Sequence, residues 1–238
     1  MNNSIVYTYK KPQYKILSRE SNQRGWIIKS IESARLLGYC IELYTNDDQF
    51  SKGLDIDLVH FIDDEYELWD SFKIYVLEHR LDNNYFLCDN DVIFKKQIPF
   101  DNSIDLYFDG TELHNWDWAY SDTMKYLKDS NIFDNISFWK YDKMPVLNVG
   151  ILKINNSKLK EDYIFYWKQL YTLILPKIDN VNKTFITAII TQYLLTLLSK
   201  NYTTDHFTLD ANWPYGNNFY NHFVGSFKWK NSSIKTII

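Results

Sequence analysis

The first 94 residues of the chain alternate between short apolar runs and segments with helical spacing, and this alternation leaves few folds open. Runs rich in β-branched and aromatic residues predict strands at residues 5–9, 39–45, 56–61 and 85–88. Between them, one predicted helix starts near Ser21 or Asn22 and stops at Gly38, and another spans residues 68–79. Such alternation predicts an α/β sheet with right-handed crossovers, in which ligands bind at the carboxyl ends of the strands.

The second part of the chain is less regular but fits the same class. We expect strands at residues 104–108 and 146–154, and helices at residues 158–171 and 183–199. The tail from Thr203 onward is rich in Asn, Gly and aromatic residues, which is typical of a loop. Because 45% of the 238 residues are hydrophobic, the chain can bury one substantial core, and we expect a single domain.

The net charge and the cysteines indicate which cellular compartment and which classes of partner to expect. A net charge of −4 and a pI near 5.7 give no general attraction to phosphate polymers, which argues against a nucleic-acid partner. Cys40 and Cys88 lie in apolar runs and predict buried thiols, as a reducing compartment favours. The start of the chain has no pattern typical of a signal peptide, and the most apolar stretch, 184–198, is too short to cross a bilayer. We therefore expect a cytoplasmic protein without a membrane span.

The segment Asp89-Asn90-Asp91 follows the predicted strand 85–88 directly, and the apolar residues after it return the chain to the core. Two carboxylates beside a core repel each other unless a cation lies between them, which favours a hard-metal site for Mg²⁺ or Mn²⁺. An ordinary polar turn is the alternative, because Asp and Asn are also common turn residues. A calcium loop of the EF-hand type fits less well, since the glycine and the glutamate that it needs are missing.

Three further segments bear on this interpretation, one before the acidic segment and two after it. Lys73 lies on the predicted helix before it, although a solvated charge is the alternative there. Asn148 and Gly150 open the strand 146–154, where the alternative is a plain strand with a bulge. Near the end, His222 begins the segment His-Phe-Val-Gly-Ser-Phe-Lys-Trp. The alternative for this histidine is an ordinary surface or core residue.

In this order, the segments resemble the motifs of GT-A glycosyltransferases, in particular the glycogenin-like family GT8 and its relatives in family GT32. Val149 stands where that family has Ala or Ser, and Trp229 stands where it has Pro. The resemblance implies an α/β, Rossmann-like GT-A fold with a mixed central sheet flanked by helices. It implies one domain over residues 1–238, with a nucleotide-binding half at 1–94 and an acceptor-binding half with a closing segment at 95–238.

The resemblance also implies roles for individual residues. The expected metal ligands for Mn²⁺ or Mg²⁺ are Asp89, Asp91 and His222, and the expected catalytic residues are Asp89, Asp91, Lys73 and Asn148. The expected donor-binding residues are Tyr7, Thr8, Tyr9, Lys73, Asn90, Gly225 and Lys228. Tyr7 and Tyr9 share one face of the first strand, which we expect to meet the ligand. The expected acceptor-binding residues are Asn148, Gly150, Asp109, Glu112 and Trp116, with a loop that covers the core as the alternative for the last three.

The expected function is therefore that of a metal-dependent glycosyltransferase (a hexosyl- or pentosyltransferase) that retains anomeric configuration. Its partners would be a nucleotide-diphosphate sugar, with a UDP-sugar as the first candidate, and an acceptor saccharide, protein or other hydroxyl compound. One alternative is a nucleotide-sugar or glycan-binding protein of the same fold without turnover. Another is a sugar nucleotidyltransferase, although Lys10-Lys11-Pro12 lacks the glycine-rich loop that we expect there.

Overall fold

The computed structural model describes residues 3–11, 17–63, 66–99, 101–112, 119–141, 144–180, 183–206, 215–216 and 219–222. The strands are β1 (Ser4–Tyr9), β2 (Cys40–Thr45), β3 (Leu58–Phe61), β4 (Tyr85–Cys88), β5 (Val92–Phe94), β6 (Leu106–Glu112), β7 (Val146–Ile154), β8 (Thr204–His206), β9 (Tyr215–Gly216) and β10 (Tyr220–His222). The α-helices are α1 (Leu17–Leu36), α2 (Asp48–Ser51), α3 (Ser71–His79), α4 (Ala119–Asp129), α5 (Ser157–Ile174), α6 (Lys183–Ala188) and α7 (Leu194–Leu198). A π-helical turn, Ile189–Tyr193, joins α6 to α7, and 3₁₀ turns follow α5 and α7 at Leu175–Asn180 and Ser199–Asn201.

Seven strands form a mixed central sheet in the order β3-β2-β1-β4-β7-β6-β8. Strands β1 to β4 run parallel to one another, β7 runs antiparallel to both β4 and β6, and β8 is parallel to β6. The remaining strands form a small antiparallel sheet in the order β5-β10-β9. Strands from both predicted halves of the chain thus share one central sheet.

Alternate residues of the central strands pack into two separate apolar clusters, one on each face of the sheet. Ile5 and Tyr7 of β1 lie in the cluster that includes the apolar residues of α1, whereas Val6 lies in the cluster with α3, α5 and α7. On α5, buried residues recur every three or four positions, as helical periodicity requires: Leu159, Tyr163, Trp167, Leu170 and Ile174. The sheet is therefore covered by helices on both faces.

The predicted α/β class with a mixed central sheet flanked by helices is confirmed. Strands β4 and β7 span the predicted residues: β4 is a continuous apolar run, β7 is mostly apolar, and both are buried on both faces. Strand β6 was predicted at residues 104–108 but lies at Leu106–Glu112, and β5 was not predicted. Three further details were wrong. Helix α1 begins at Leu17, ahead of the predicted start; α2 and α4 were not predicted; and the tail that was assigned to a loop contains β8, β9 and β10. No helix within the described residues has both the length and the apolarity needed to cross a membrane.

Two glycines around helix α1 give opposite predictions for stability. Gly25 lies inside the helix with open space where a methyl group would lie, so Gly25→Ala should stabilise the fold by roughly 0.5–1 kcal/mol. Gly38 follows the helix with φ +79°, so Gly38→Ala should destabilise it by roughly 1–2 kcal/mol. Urea unfolding of both variants beside the wild type tests this. Equal shifts in the same direction would contradict it.

Candidate active site at the end of strand β4

The chain changes sides of the sheet between two neighbouring parallel strands, β1 and β4. Helix α1 leaves β1 over one face of the sheet, whereas α3 enters β4 from the other face. In open α/β sheets, this reversal opens a crevice beyond the carboxyl ends of the two strands. Asp89 is the first residue after β4 and therefore lies at this crevice.

A buried lysine joins Asp89 to the helix behind it. The Lys73 ammonium on α3 lies 2.7 Å from Asp89 Oδ1 and 3.5 Å from Asp70 Oδ1. It also donates to the backbone carbonyl of Val149 at 3.1 Å. Lys73 is only 1% exposed, and Asp70 2%. The ammonium thus hydrogen-bonds Asp89 and Val149, while Asp70 contributes a second buried carboxylate at ion-pair distance.

The charges in this cluster support one another. Burial alone would lower the pKa of Lys73, but the carboxylates of Asp70 and Asp89 outweigh it and raise that pKa above its usual range. The lysine therefore remains charged at neutral pH. Burial raises the pKa of Asp70, while the nearby Lys73 charge opposes that rise. Lys73 was predicted to contact the donor. Its side chain is buried and is directed at Asp89.

The π-helical turn supports Asp70 from the opposite side. Thr191, in this turn, hydrogen-bonds the Asp70 carboxylate through its side chain, and its Oγ1 accepts from the Trp167 indole at 3.2 Å. Both Thr191 and Trp167 are fully buried. π-helical turns are frequent at functional sites, and this one brings Thr191 to the Asp70 carboxylate. It ties the Lys73 cluster to the helical layer.

The remaining residues of the acidic segment supply oxygen atoms of the type that hard cations prefer. Asp91 is 2% exposed, and Asn90 is half-buried with an Oδ1 atom that has no hydrogen-bond partner within the described residues. The backbone N–H of Asp89 donates to the Gly150 carbonyl at 2.7 Å, which holds the segment against β7. These oxygens fit Mg²⁺ or Mn²⁺. However, the described side chains contain no group of three His, Cys, Asp or Glu that could hold a metal.

The predicted third ligand, His222, lies at the end of β10. In the small sheet, β10 pairs with β5 so that His222 stands opposite Val92, the residue directly after Asp91. The backbone therefore brings the closing segment beside the acidic segment, although the two are far apart in sequence. For His222 the structure describes the backbone alone, and Gly225 and Lys228 lie outside the described residues. Their predicted roles stay predictions.

Asp109 corrects one expectation about acceptor binding. It is 1% exposed and lies at an irregularity in the pairing of β6 with β7, between Phe108 and Gly110. Such bulges redirect a side chain, and here the Asp109 carboxylate accepts a short hydrogen bond from the hydroxyl of the fully buried Tyr220. Asp109 thus anchors β10 to the central sheet through a buried side chain.

The end of β1 corrects a second expectation. Tyr7 and Tyr9 do share one face, but both rings are buried there in the apolar cluster that includes residues of α1 and Phe50 of α2. Tyr7 is 0% exposed and its hydroxyl lies 2.7 Å from Ser30 Oγ, while the Tyr9 ring stacks on Phe50 with centroids 3.4 Å apart. Neither ring is available to stack on a base here. Thr8, on the other face, is half-buried, and its predicted donor contact stays a prediction.

Asn148 and Gly150 lie where the resemblance implies, on β7 beside the acidic segment. Both are buried, and the Asn148 side-chain oxygen accepts from the backbone N–H of Gly150 at 2.8 Å. That oxygen is thus engaged by the chain itself, and the predicted contact of Asn148 with an acceptor stays a prediction. Of the other predicted acceptor residues, Glu112 ends β6 but its side chain lies outside the description, as does all of Trp116.

Sequence reasoning missed two residues near Lys73. Asp70 stands three positions before Lys73, a spacing that brings two side chains together on a helix and would have predicted the pair. Trp69 lies in the turn before α3, where it is 50% exposed while Lys73 Nζ lies 5.9 Å from the centre of its ring. The other tryptophans with described side chains, Trp26, Trp139 and Trp167, are all buried. Only the fold shows that Trp69 differs from them.

Removing the Lys73 charge should destabilise the protein strongly. Lys73→Met leaves the buried Asp70 carboxylate without its cation, and breaking a buried pair in this way costs about 3–5 kcal/mol. Lys168→Met is the matched control, since the pair of Lys168 with Glu78 is exposed and such pairs contribute at most about 1 kcal/mol. Chemical denaturation measures both. A Lys73→Met variant no less stable than the control would contradict a compensated buried charge.

Comparisons with known proteins give a limited answer. No protein-family model matches the chain, and no curated protein matches it either. Among solved structures, the glycosyltransferase GlyE of Streptococcus pneumoniae is similar, with 15% identity and a TM-score of 0.46 over 86% of this chain. The chain spans only 45% of the length of GlyE.

Two other solved structures illustrate the range of these likenesses. The galactosyltransferase LgtC, solved with donor and acceptor sugar analogues, has 12% identity and a TM-score of 0.44, covering 80% of this chain and 71% of its own. The CTP:phosphocholine cytidylyltransferase LicC of Streptococcus pneumoniae has 12% identity and a TM-score of 0.47, covering 99% of this chain and 100% of its own. Glycosyltransferases and a nucleotidyltransferase thus both occur among the similar structures, and with TM-scores below 0.5 none of them decides the activity.

Proposed function

We propose that the chain is a metal-dependent glycosyltransferase of the GT-A type, related to families GT8 and GT32. It takes a sugar from a nucleotide-diphosphate donor, with a UDP-sugar as the first candidate, and transfers it with retention of configuration to a hydroxyl acceptor. The observation that carries the proposal is the acidic segment at the β1–β4 crevice, held by Lys73. A protein that only formed a polar turn there would have no need of a buried lysine to orient Asp89.

The site residues divide into those that face a ligand and those that support them. Asp89 and Asp91 are the proposed ligands of Mn²⁺ or Mg²⁺, with His222 as the proposed third. When bound, such a cation neutralises the negative charge that develops on the leaving diphosphate. Lys73 holds Asp89 through its Oδ1 atom at 2.7 Å. Gly150, through its carbonyl, sets the backbone of Asp89 against β7.

A cytoplasmic location is part of the proposal. Cys40 and Cys88 are both free thiols, which is what a reducing compartment favours. Burial, together with the nearby Asp89 and Asp91 carboxylates, raises the pKa of the Cys88 thiol well above its usual value, so this cysteine stays protonated. It supports the strand end as an apolar residue and is not a nucleophile.

The activity is tested by incubating the protein with Mn²⁺ and a panel of nucleotide-sugars and measuring the released nucleoside diphosphate. Asp91→Asn should lower the rate by at least about 100-fold, because one metal carboxylate is lost. Asp162→Asn, at an exposed ion pair on α5, is the control and should leave the rate unchanged.

The possible outcomes separate the three hypotheses. Release of the diphosphate supports a glycosyltransferase, whereas pyrophosphate formed from a nucleoside triphosphate and a sugar phosphate would indicate a nucleotidyltransferase. Donor binding without release of any product would indicate a binding protein. Full activity of Asp91→Asn would overturn the metal site.

Trp69 is the residue through which we propose that the site contacts a sugar ring. Its turn is rigid, since Ser71 N–H donates to the Leu68 carbonyl at 3.2 Å and the neighbours Leu68 and Asp70 are buried. The indole is held near the Lys73 ammonium, itself 2.7 Å from Asp89, so it borders the proposed metal site. A half-exposed aromatic beside fixed polar groups is the usual composition of a small-molecule site.

Replacing this ring should therefore weaken binding of the sugar part of the donor. We expect Trp69→Ala to raise the Kd of the best UDP-sugar in the panel about fivefold, a typical loss for one aromatic contact, while Trp69→Phe retains most of the affinity. Isothermal titration with UDP alone gives the reference, which the variant should leave unchanged. Equal weakening of UDP and UDP-sugar would show that Trp69 serves the nucleotide instead.

A further inference from the structure

Strand β5 has two edges, and only one of them pairs with another strand in the described part of the chain. On that edge, Ile93 stands opposite Asn221 of β10, and the Lys95 N–H donates to the Phe219 carbonyl at 2.6 Å. Neighbouring residues of a strand direct their backbone groups to opposite edges, so Val92 and Phe94 present theirs to the other side. Helix α1 lies on that side, next to β5.

Two serines of α1 complete this second edge. Ser30 Oγ donates a short hydrogen bond to the Val92 carbonyl, and Ser33 Oγ accepts from the Phe94 N–H at 2.9 Å. Residues three apart lie on the same face of a helix, and here their hydroxyls meet the alternate backbone groups that a neighbouring strand would have met. A helix thus takes the place of a missing strand beside β5.

The direction of each hydrogen bond follows from the groups that take part. A carbonyl can only accept, so the Ser30 hydroxyl gives its hydrogen to Val92. The hydroxyl of Tyr7, 2.7 Å from Ser30 Oγ, must then donate to that oxygen. Burial raises the pKa of Tyr7 well above its usual value, so the phenol keeps the hydrogen that it donates. The result is a chain from Tyr7 through Ser30 to Val92, with Tyr7 and Ser30 both 0% exposed.

This chain of hydrogen bonds ends one residue from a proposed metal ligand. Val92 follows Asp91 directly, and the Asp91 side chain is itself 2% exposed, so its direction depends on where the backbone of β5 lies. Asp89, at the other end of the segment, is held separately by Lys73 and by the Gly150 carbonyl. Each carboxylate therefore has its own support, one from the α3 face of the sheet and one from the α1 face.

We propose that Tyr7 and Ser30 are positioning residues, which fix the Asp91 carboxylate for a divalent cation by holding the Val92 carbonyl. The inference rests on the proposed function, since it needs the metal site at Asp89 and Asp91. It gives Tyr7 a role in that site without any contact between its ring and the donor. Losing a buried partner that orients a metal ligand typically weakens metal binding 10–100-fold.

The test is a titration of the metal-free protein with Mn²⁺, followed by the electron paramagnetic resonance signal of the free ion and without any donor. We expect Tyr7→Phe and Ser30→Ala each to weaken Mn²⁺ binding about tenfold. Two controls remove comparable buried hydrogen bonds elsewhere: Tyr193→Phe, whose hydroxyl donates to the Lys140 carbonyl, and Ser199→Ala, whose hydroxyl donates to the Thr196 carbonyl. The controls should lose some stability and keep the wild-type Mn²⁺ affinity.

The double variant provides a second measurement, independent of stability. Because Tyr7 acts through Ser30, adding Tyr7→Phe to Ser30→Ala should weaken Mn²⁺ binding little further than Ser30→Ala alone. Variants that bind Mn²⁺ as tightly as the wild type would overturn the positioning role and leave the metal site intact. A wild type that binds no Mn²⁺ would overturn the metal site of the proposed function, and this inference with it.

Discussion

A lysine ammonium that is removed from water must find its compensation inside the protein, and this requirement organises the edge of the sheet where β4 ends. Taking such a charge out of water costs several kcal/mol even after the surroundings relax. Lys73 recovers that cost only if Asp70, Asp89 and the Val149 carbonyl all come within reach at once. Helix α3, the end of β4 and the first half of β7 are therefore not free to move independently. The acidic segment, which follows β4 directly, is held in place with them.

The small sheet extends the same logic to the other side of the acidic segment. A three-residue strand such as β5 has too few contacts to be stable alone, yet it carries the chain directly out of Asp91. Its backbone groups are satisfied by β10 on one edge and by Ser30 and Ser33 on the other. Strand β10 is in turn fixed to the central sheet through Tyr220 and Asp109. The segment between β4 and β5 thus has no unsupported end within the described part of the chain.

The parts of this arrangement that could be predicted are those written in neighbouring residues. The strands β4 and β7 were found to the residue because β4 is a continuous apolar run and β7 is mostly apolar, and the acidic segment stood out as polar residues directly after β4. The shared face of Tyr7 and Tyr9 was also correct, since a period of two is local. Whether that face meets α1 or a ligand depends on the side of the sheet to which the chain crosses, which no local pattern contains.

The missed features depend on partners that are distant in sequence. Strands β9 and β10 have two and three residues, too few to show any period; β10 pairs with β5, and β9 pairs with β10. No local pattern marks Ser30 and Ser33 among the many polar residues of α1, and Asp109 was assigned to acceptor binding. Each becomes intelligible only through its partner, at Val92, Phe94 or Tyr220.

The hydrogen bond between Asp109 and Tyr220 also bears on the order of events during folding. It joins residues 111 positions apart, and the Lys73 bond to Val149 spans 76. Contacts over such separations must close long loops before they contribute any stability, so they form late compared with helices and hairpins. While the polypeptide is still being synthesised, Asp89 and Asp91 leave the ribosome long before Tyr220. The acidic segment is therefore synthesised before β10, the strand that pairs with β5. It reaches its final geometry only when folding is complete.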